Sequence, residues 1–399
     1  MEKVIYLDNN ATTKVDERVL EKMLPFYCEQ YGNPSSMHSF GGDVSKYLAK
    51  AREQVADFVG AQNPYEITFT GCGTESANIA IRGALEMNRS KKHIITTKVE
   101  HPCVLNTYKW LEKRGYKVTY LDVNSQGELL VDELKNAVTD DTALVSIMWA
   151  NNETGVIFPV EKASQIIKEK NPKTLFYVDG VQAAGKIPMD VSGVNIDMCG
   201  ISGHKFHAPK GVGALYVRKG ILLPPLIHGG HQERGLRPGT ENVSGIVGIG
   251  EAAELAKSYL DDEGTRVKVL RDELEKGIVK KVFNARANCT QAPRVPNTTN
   301  ISFEYIEGEL MLLHFADAGV CASSGSACTS GSLEPSHVLK AMGVPFTCLH
   351  GSIRFSLSRF TTKEEIDYTL NVIPPIIEKI NGYSPYQKEL RELKELRNF

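Results

Sequence analysis

From about residue 66 onward, short strand-like runs alternate with longer stretches in which apolar side chains recur every three or four positions. The short runs lie at Ile67–Thr70, Ile94–Thr97, Val118–Leu121, Ala143–Trp149, Leu175–Val178, Met198–Ile201 and Ala214–Val217. A strand that is apolar at nearly every position suits a sheet covered on both faces. Its alternation with helical periodicity predicts an α/β fold with a mostly parallel seven-stranded sheet covered by helices. Before this region, Asp16 opens a helical pattern through Val19, Leu20, Met23 and Leu24. Residues 31–36 form a loop, and an amphipathic helix spans about Asp43 to Val59.

The pattern changes after the seventh run. Asn242 to about Lys281 is helical, with a break near Gly264, and carries the chain away from the sheet. Beyond it the pattern reads strand 299–304, helix 308–318, a Ser/Gly-rich loop at 322–332, helix 335–342, strand 352–357 and helix 362–380. This predicts a smaller α+β domain. Residues 15–260 are assigned to the large domain, and 1–14 with 261–399 to the small one. The tail from Gln387 is charged and helical or frayed.

Composition narrows the function class. With 399 residues, 42% hydrophobic and 24% charged, the chain can build two domains around large cores. A net charge of -2 with no block of like charge argues against nucleic acid or an anionic membrane as partner. No apolar run is long enough to span a bilayer, and Met1–Asp8 has neither signal-peptide nor transit-peptide character, so a cytoplasmic location is expected. The eight cysteines contain no C-x-x-C pair, so no metal site or disulfide framework is expected.

In open α/β sheets ligands collect beyond the C-terminal ends of the strands, so the residues just after each run carry the chemistry. Asp179 ends one run; Ser202-Gly203-His204-Lys205 ends the next, with the lysine 26 positions on. A lysine in a partly dry pocket can attack an aldehyde, and a carboxylate can keep a pyridine nitrogen protonated. This pair therefore matches pyridoxal phosphate, with Lys205 as the Schiff-base residue. The alternative is a surface lysine and a capping aspartate.

Other strand ends add candidates. Gly71-Cys72-Gly73-Thr74 precedes a helix and can expose N–H groups and a hydroxyl to a phosphate, or Thr74 can simply cap that helix. His101 can stack on a flat ring or shuttle a proton, or be an ordinary loop histidine before Pro102. Asn151 and Asn152 can donate to a ring oxygen or a carboxylate, or form an Asx-turn. Gln182 follows Asp179 closely enough to reach the same ring. The Gly-rich stretch 229–240, with Arg234, Arg237 and Thr240, is a phosphate or subunit contact or a plain loop. It matches neither an ATP nor a dinucleotide fingerprint. Cys328 sits among serines and glycines, where a thiol is accessible and can act as a nucleophile. Arg354, inside an apolar strand, needs an anion: a substrate α-carboxylate or an internal carboxylate.

Taken together, residues 6–13 (YLDNNATT), 32–36 (GNPSS), 99–101 (VEH), 151–155 (NNETG), 202–205 (SGHK) and 323–331 (SSGSACTSG) resemble the cysteine desulfurases of the NifS/IscS type. The similarity runs from about residue 4 to residue 380 and is nearer the NifS branch. It implies a homodimer of pyridoxal 5'-phosphate fold-type I, in the class V aminotransferase family, that converts L-cysteine to L-alanine. Sulfur would be held as a persulfide on Cys328 and passed to an iron–sulfur scaffold protein. By position, Lys205 would bind the cofactor aldehyde, Asp179 the ring nitrogen and Gln182 the ring hydroxyl. His101 would stack on the ring and assist proton transfer. Gly73, Thr74, Ser202 and His204 would hold the phosphate, joined by Thr240 from the partner subunit. Asn152 and Arg354 would hold the substrate carboxylate. Gly180, where the family pattern has alanine, removes a methyl near the ring, and Pro238 is a second small departure. A selenocysteine lyase, an aminotransferase or a non-catalytic scaffold subunit of the same fold remain the alternatives.

Overall fold

The computed structural model describes residues 4–324 and 335–397. Twelve strands are found among them. These are β1 (Ile5–Tyr6), β2 (Ile67–Thr70), β3 (His93–Thr97), β4 (Lys117–Leu121), β5 (Thr142–Met148), β6 (Leu175–Asp179), β7 (Met198–Ser202), β8 (Gly213–Val217), β9 (Ala285–Ala287), β10 (Thr298–Phe303), β11 (Val320–Cys321) and β12 (Ser352–Ser356). Seven of them form one sheet in the order β2-β8-β7-β6-β5-β3-β4. Every pairing from β4 to β7 is parallel; β8 runs antiparallel to both its neighbours. β2, β3, β5, β7 and β8 are buried at every position, their polar members such as Thr68, Thr96 and Ser146 included, as expected of strands covered on both faces.

Helices cover both faces. The helix Ser45–Val59 packs its buried residues Leu48, Ala51, Val55 and Phe58 into one apolar cluster, and ends at Gly60, whose φ of 73° suits a residue without a side chain. On the other face, Ala77, Ile81 and Ala84 of helix Gly73–Met87 pack with Tyr108 and Tyr177.

A second group of elements has its own apolar cluster, built from Ile5, Leu7, Leu270, Leu274, Ile301, Phe315, Ile353, Phe355, Ile366 and Ile377. Its sheet is antiparallel, in the order β12-β10-β9, beside a parallel β1–β11 pair. The residues around Cys289, Val295, Val338 and Met342, though late in the chain, pack into the large cluster instead. The expected break near Gly264 is a π-helical turn at Glu263–Val267 between two helical stretches. The last long helix, Lys363–Tyr383, continues through Pro374 and Pro375, because burial of Ile366, Ile373, Ile377 and Ile380 on one face offsets the lost hydrogen bonds. The tail forms a helix at Gln387–Leu396, and Arg397 donates to the carbonyls of Phe283 and Ala285 at 2.7 and 2.8 Å.

Asp16 and His207 join the two groups. Asp16 accepts from Arg359 at 2.7 Å and from Arg18 at 2.8 Å. His207 is buried and donates from Nδ1 to the Lys14 carbonyl at 2.9 Å, while its Nε2 has no partner among the described residues. Burial, with Lys186 and Arg359 nearby, pushes its pKa down to about 2. The folded protein therefore keeps His207 neutral, while the unfolded chain takes up a proton below about pH 6.5. The stability this burial permits is present above that pH and falls with decreasing pH, by up to about 1.4 kcal/mol per unit. Denaturant titrations from pH 7 to about 4.5 should show this slope. In His207→Asn, which keeps a donor to the same carbonyl, the slope should be shallower by one proton; an identical slope would rule His207 out as its source.

Candidate active site

Parallel strands bring their C-terminal ends to one edge of the sheet, and a cleft of about 280 Å³ opens there. Gly73, Thr74, His101, Asn152, Asp179, Gln182, Ser202, His204 and Lys205 all line it. They are scattered over more than 130 residues of sequence, yet β6 pairs directly with β7 and places Asp179 opposite Gly200, so the aspartate and the lysine segment emerge side by side.

Asp179 is buried and accepts from the Val181 N–H at 3.0 Å; among the described residues it makes no ion pair. Burial raises its pKa, opposed by the nearby His101 and Lys205. A buried carboxylate at the floor of an open cleft is suited to a cationic ring nitrogen. His101 caps its own helix, its Nδ1 accepting from Cys103 N–H at 3.2 Å, which leaves the proton of a neutral ring on Nε2. Burial lowers its pKa. His204 is pushed down to about 4, first by burial and then by Lys205 and Lys210, and is neutral at physiological pH. Helix Gly73–Met87 begins with Cys72 at the cap position, so Thr74 lies in its first turn and does not cap it. The unsatisfied N–H groups of that turn face the cleft beside Ser202 and His204, which suits a phosphate.

One wall of the cleft comes from the N-terminal segment, which sequence reasoning left without a role in the site. The Lys205 amine donates to the carbonyls of Asn10 and Ala11 at 2.6 and 2.8 Å, and Gln182 donates to the same Asn10 carbonyl at 3.1 Å. His204 Nδ1 lies 3.1 Å from the Thr12 hydroxyl. The signal available was the density of Asn and Thr after Tyr6. Glu100 was also missed. It is fully buried, accepts from Met148 N–H and the Thr97 hydroxyl, both at 2.9 Å, and has its pKa raised to about 8 by burial. It is therefore a neutral acid joining the ends of β3 and β5.

Two expected residues are not among those that line this cleft. Arg354 does not line the cleft: it pairs with Asp8 at 2.7 Å, the internal carboxylate alternative, and donates to the Asn152 carbonyl at 2.9 Å. Its Nε is buried and has no partner among the described residues. Thr240 is exposed and does not line the cleft of its own chain. Cys328 lies outside the described residues.

The family model for aminotransferase class-V matches residues 5–369. The chain belongs to the class-V aminotransferase family. Its site is thus that of a pyridoxal-phosphate enzyme, and the donors around the cleft fit that cofactor. Among curated relatives, "Cysteine desulfurase 2" of Trichormus variabilis is 57% identical over 386 residues, covering 97% of this chain and 96% of that protein. "Cysteine desulfurase NifS" of Azotobacter vinelandii is 51% identical, covering 96% and 94%. A solved structure titled "NIFS-LIKE PROTEIN" superposes with a TM-score of 0.88 at 44% identity, covering 94% of this chain and 99% of its own.

Gly180 has a different surrounding from the one expected. A methyl there would meet Cys199 Sγ at 2.8 Å and Met189 Cε at 2.9 Å, so these side chains already fill the space. Gly180→Ala should cost on the order of 1–3 kcal/mol in urea unfolding, and Cys199→Ala should recover much of it in the double variant. A neutral Gly180→Ala in the otherwise unaltered protein would refute this packing account.

Proposed function

We propose that this class-V aminotransferase is a cysteine desulfurase that uses pyridoxal 5'-phosphate, converts L-cysteine to L-alanine, and holds the released sulfur as a persulfide on Cys328. The observation that carries the reading is the placement of Lys205 and the buried Asp179 at the ends of two paired strands, in one cleft with a helix N-terminus. The identity with cysteine desulfurases over nearly the whole chain selects this activity over an aminotransferase or a selenocysteine lyase.

Lys205 would hold the cofactor's aldehyde, Asp179 its ring nitrogen, and Gln182 its ring hydroxyl. Gly73, Thr74, Ser202 and His204 would hold the phosphate, with Thr240 of the partner subunit reaching it in a homodimer. Bound there, the cofactor supplies an electron sink at the substrate's α-carbon. Because His204 is neutral, it can donate to a phosphate oxygen without adding a fixed charge. His101, also held neutral by burial, would cover the ring and could move a proton through Nε2. Asn152 offers an amide to the substrate carboxylate. Arg354 takes part by exchanging Asp8 for that carboxylate, which adjoins the Asn152 carbonyl it already binds.

The thiol of Cys328 attacks the substrate sulfur. A sulfur–sulfur bond forms as the carbon–sulfur bond breaks, and the electron pair of the broken bond stays on the three-carbon fragment. That fragment takes up protons and leaves as alanine, so one thiol and one cysteine give one persulfide and one alanine. The persulfide is then handed to an iron–sulfur scaffold protein. Among the described residues no helix is long and apolar enough to cross a membrane, which is compatible with the cytoplasmic setting we assign.

After treatment with cysteine, mass spectrometry should find one extra sulfur on Cys328. Cys328→Ala should keep the cysteine-induced absorbance change but lose at least about a hundredfold in alanine formation, because the nucleophile itself is removed. Lys205→Ala should be colourless after reconstitution. Undiminished turnover in Cys328→Ala would favour an enzyme of the same fold that needs no carrier thiol. A wild type that binds no cofactor would favour a scaffold subunit.

A further inference from the structure

The described chain resumes at Pro335, on the C-terminal side of the segment that carries Cys328, and the next two residues bond to the loops around the cleft. Ser336 caps the helix His337–Ala341, accepting from Leu339 N–H at 3.2 Å, and its hydroxyl donates to Oε2 of Glu153. Glu153 is 3% exposed and immediately follows Asn152, which lines the cleft. His337 donates from Nε2 to the carbonyl of Glu100 at 2.9 Å, and Glu100 immediately precedes His101. Neither Ser336 nor His337 lines the cleft. On the N-terminal side, Ser323 exchanges backbone hydrogen bonds with Arg354 at 3.2 and 2.6 Å. Both ends of the segment are therefore tied to residues that border the site, and the C-terminal tie is made by side chains.

We propose that Ser336 and His337, through Glu153 and the Glu100 carbonyl, are positioning residues for the sulfur-transfer step and take no part in binding cysteine. This rests on the reading of Cys328 as the sulfur acceptor. The physical basis is the steep dependence of a reaction between two held groups on their placement: an error of about 1 Å at an attachment point can cost about a hundredfold in rate. Cysteine binding draws on Asn152 and Arg354, whose side chains are bonded to neither Ser336 nor His337, so it should be insensitive to the tie. The polar partners are specific. An imidazole Nε2–H aimed at a carbonyl can be replaced by a glutamine amide but not by a leucine, and a buried carboxylate oxygen that loses the serine hydroxyl has nothing else in the bond to satisfy it.

The test compares His337→Leu, His337→Gln and the double variant Ser336→Ala/His337→Leu as cofactor-loaded enzymes. Each would be followed by the cysteine-induced absorbance change and by single-turnover persulfide formation on Cys328. We expect half-saturation for cysteine within about twofold of wild type in all three. Persulfide formation should fall roughly ten- to hundredfold in His337→Leu and further in the double variant, with most of the loss recovered in His337→Gln. Wild-type persulfide formation in the double variant would overturn the proposal. So would an equal loss in binding and transfer, or a loss that follows the melting temperature and that glutamine does not rescue. Cys328→Ala, run in parallel, should form no persulfide. Persulfide on another cysteine in that variant would overturn the reading of Cys328 itself, a result distinct from failure of the tie.

Discussion

The hydrogen bonds made by Asn10 hold the site together. Its N–H donates to Ser356 Oγ at 2.9 Å, its side-chain amide donates to Thr298 Oγ1 and to the Asn152 carbonyl, and its side-chain oxygen accepts from Asn297. Its backbone carbonyl receives both Lys205 and Gln182. One buried residue thus satisfies groups from the large sheet, the antiparallel sheet and the lysine segment together. In a low-dielectric interior, a network in which every member is paired is rigid, and one with a missing member is costly. The N-terminal segment is consequently part of the cleft, although it belongs by packing to the second apolar cluster through Ile5 and Leu7.

The same interior sets the electrostatics. Burial pushes His101 and His204 down and Asp179 and Glu100 up, so every one of these groups is biased toward its neutral form. A cleft with so little fixed charge of its own leaves the charges of an incoming phosphate, pyridinium and α-carboxylate to be met by groups placed for each. On the proposed reading these would be a helix N-terminus, the Asp179 carboxylate and the Arg354 guanidinium, which here pairs with Asp8. Arg354 shows the economy of this arrangement. Its guanidinium bonds Asp8 and the Asn152 carbonyl, so its orientation is set by two partners.

The architecture was legible along the chain because its strands are buried on both faces. A run such as Thr142–Met148, buried throughout, is mostly apolar, with only Thr142 and Ser146 as polar members, and it is followed by the polar residues of the next loop. The seven runs emerge as strands to within a residue or so, and the strand-end rule picked out nine residues that meet in one cleft. Short strands held by partners remote in sequence were not legible. β1 is two residues long and exists only because Gly319–Cys321 lies beside it; β9 has three residues and depends on β10.

The chain alone therefore determined the sheet and the candidate residues that meet at its strand ends, because each follows from local periodicity and from which residue types end a strand. Tertiary structure decided the rest. It made Asn10 the junction of the cleft, turned Glu100 into a neutral buried acid, filled the space beside Gly180 with Cys199 and Met189, and gave Arg354 to Asp8. None of these has a local signature, since apart from Thr97, three positions before Glu100, the partners lie from 9 to 346 positions apart and are brought together only by closure of the core.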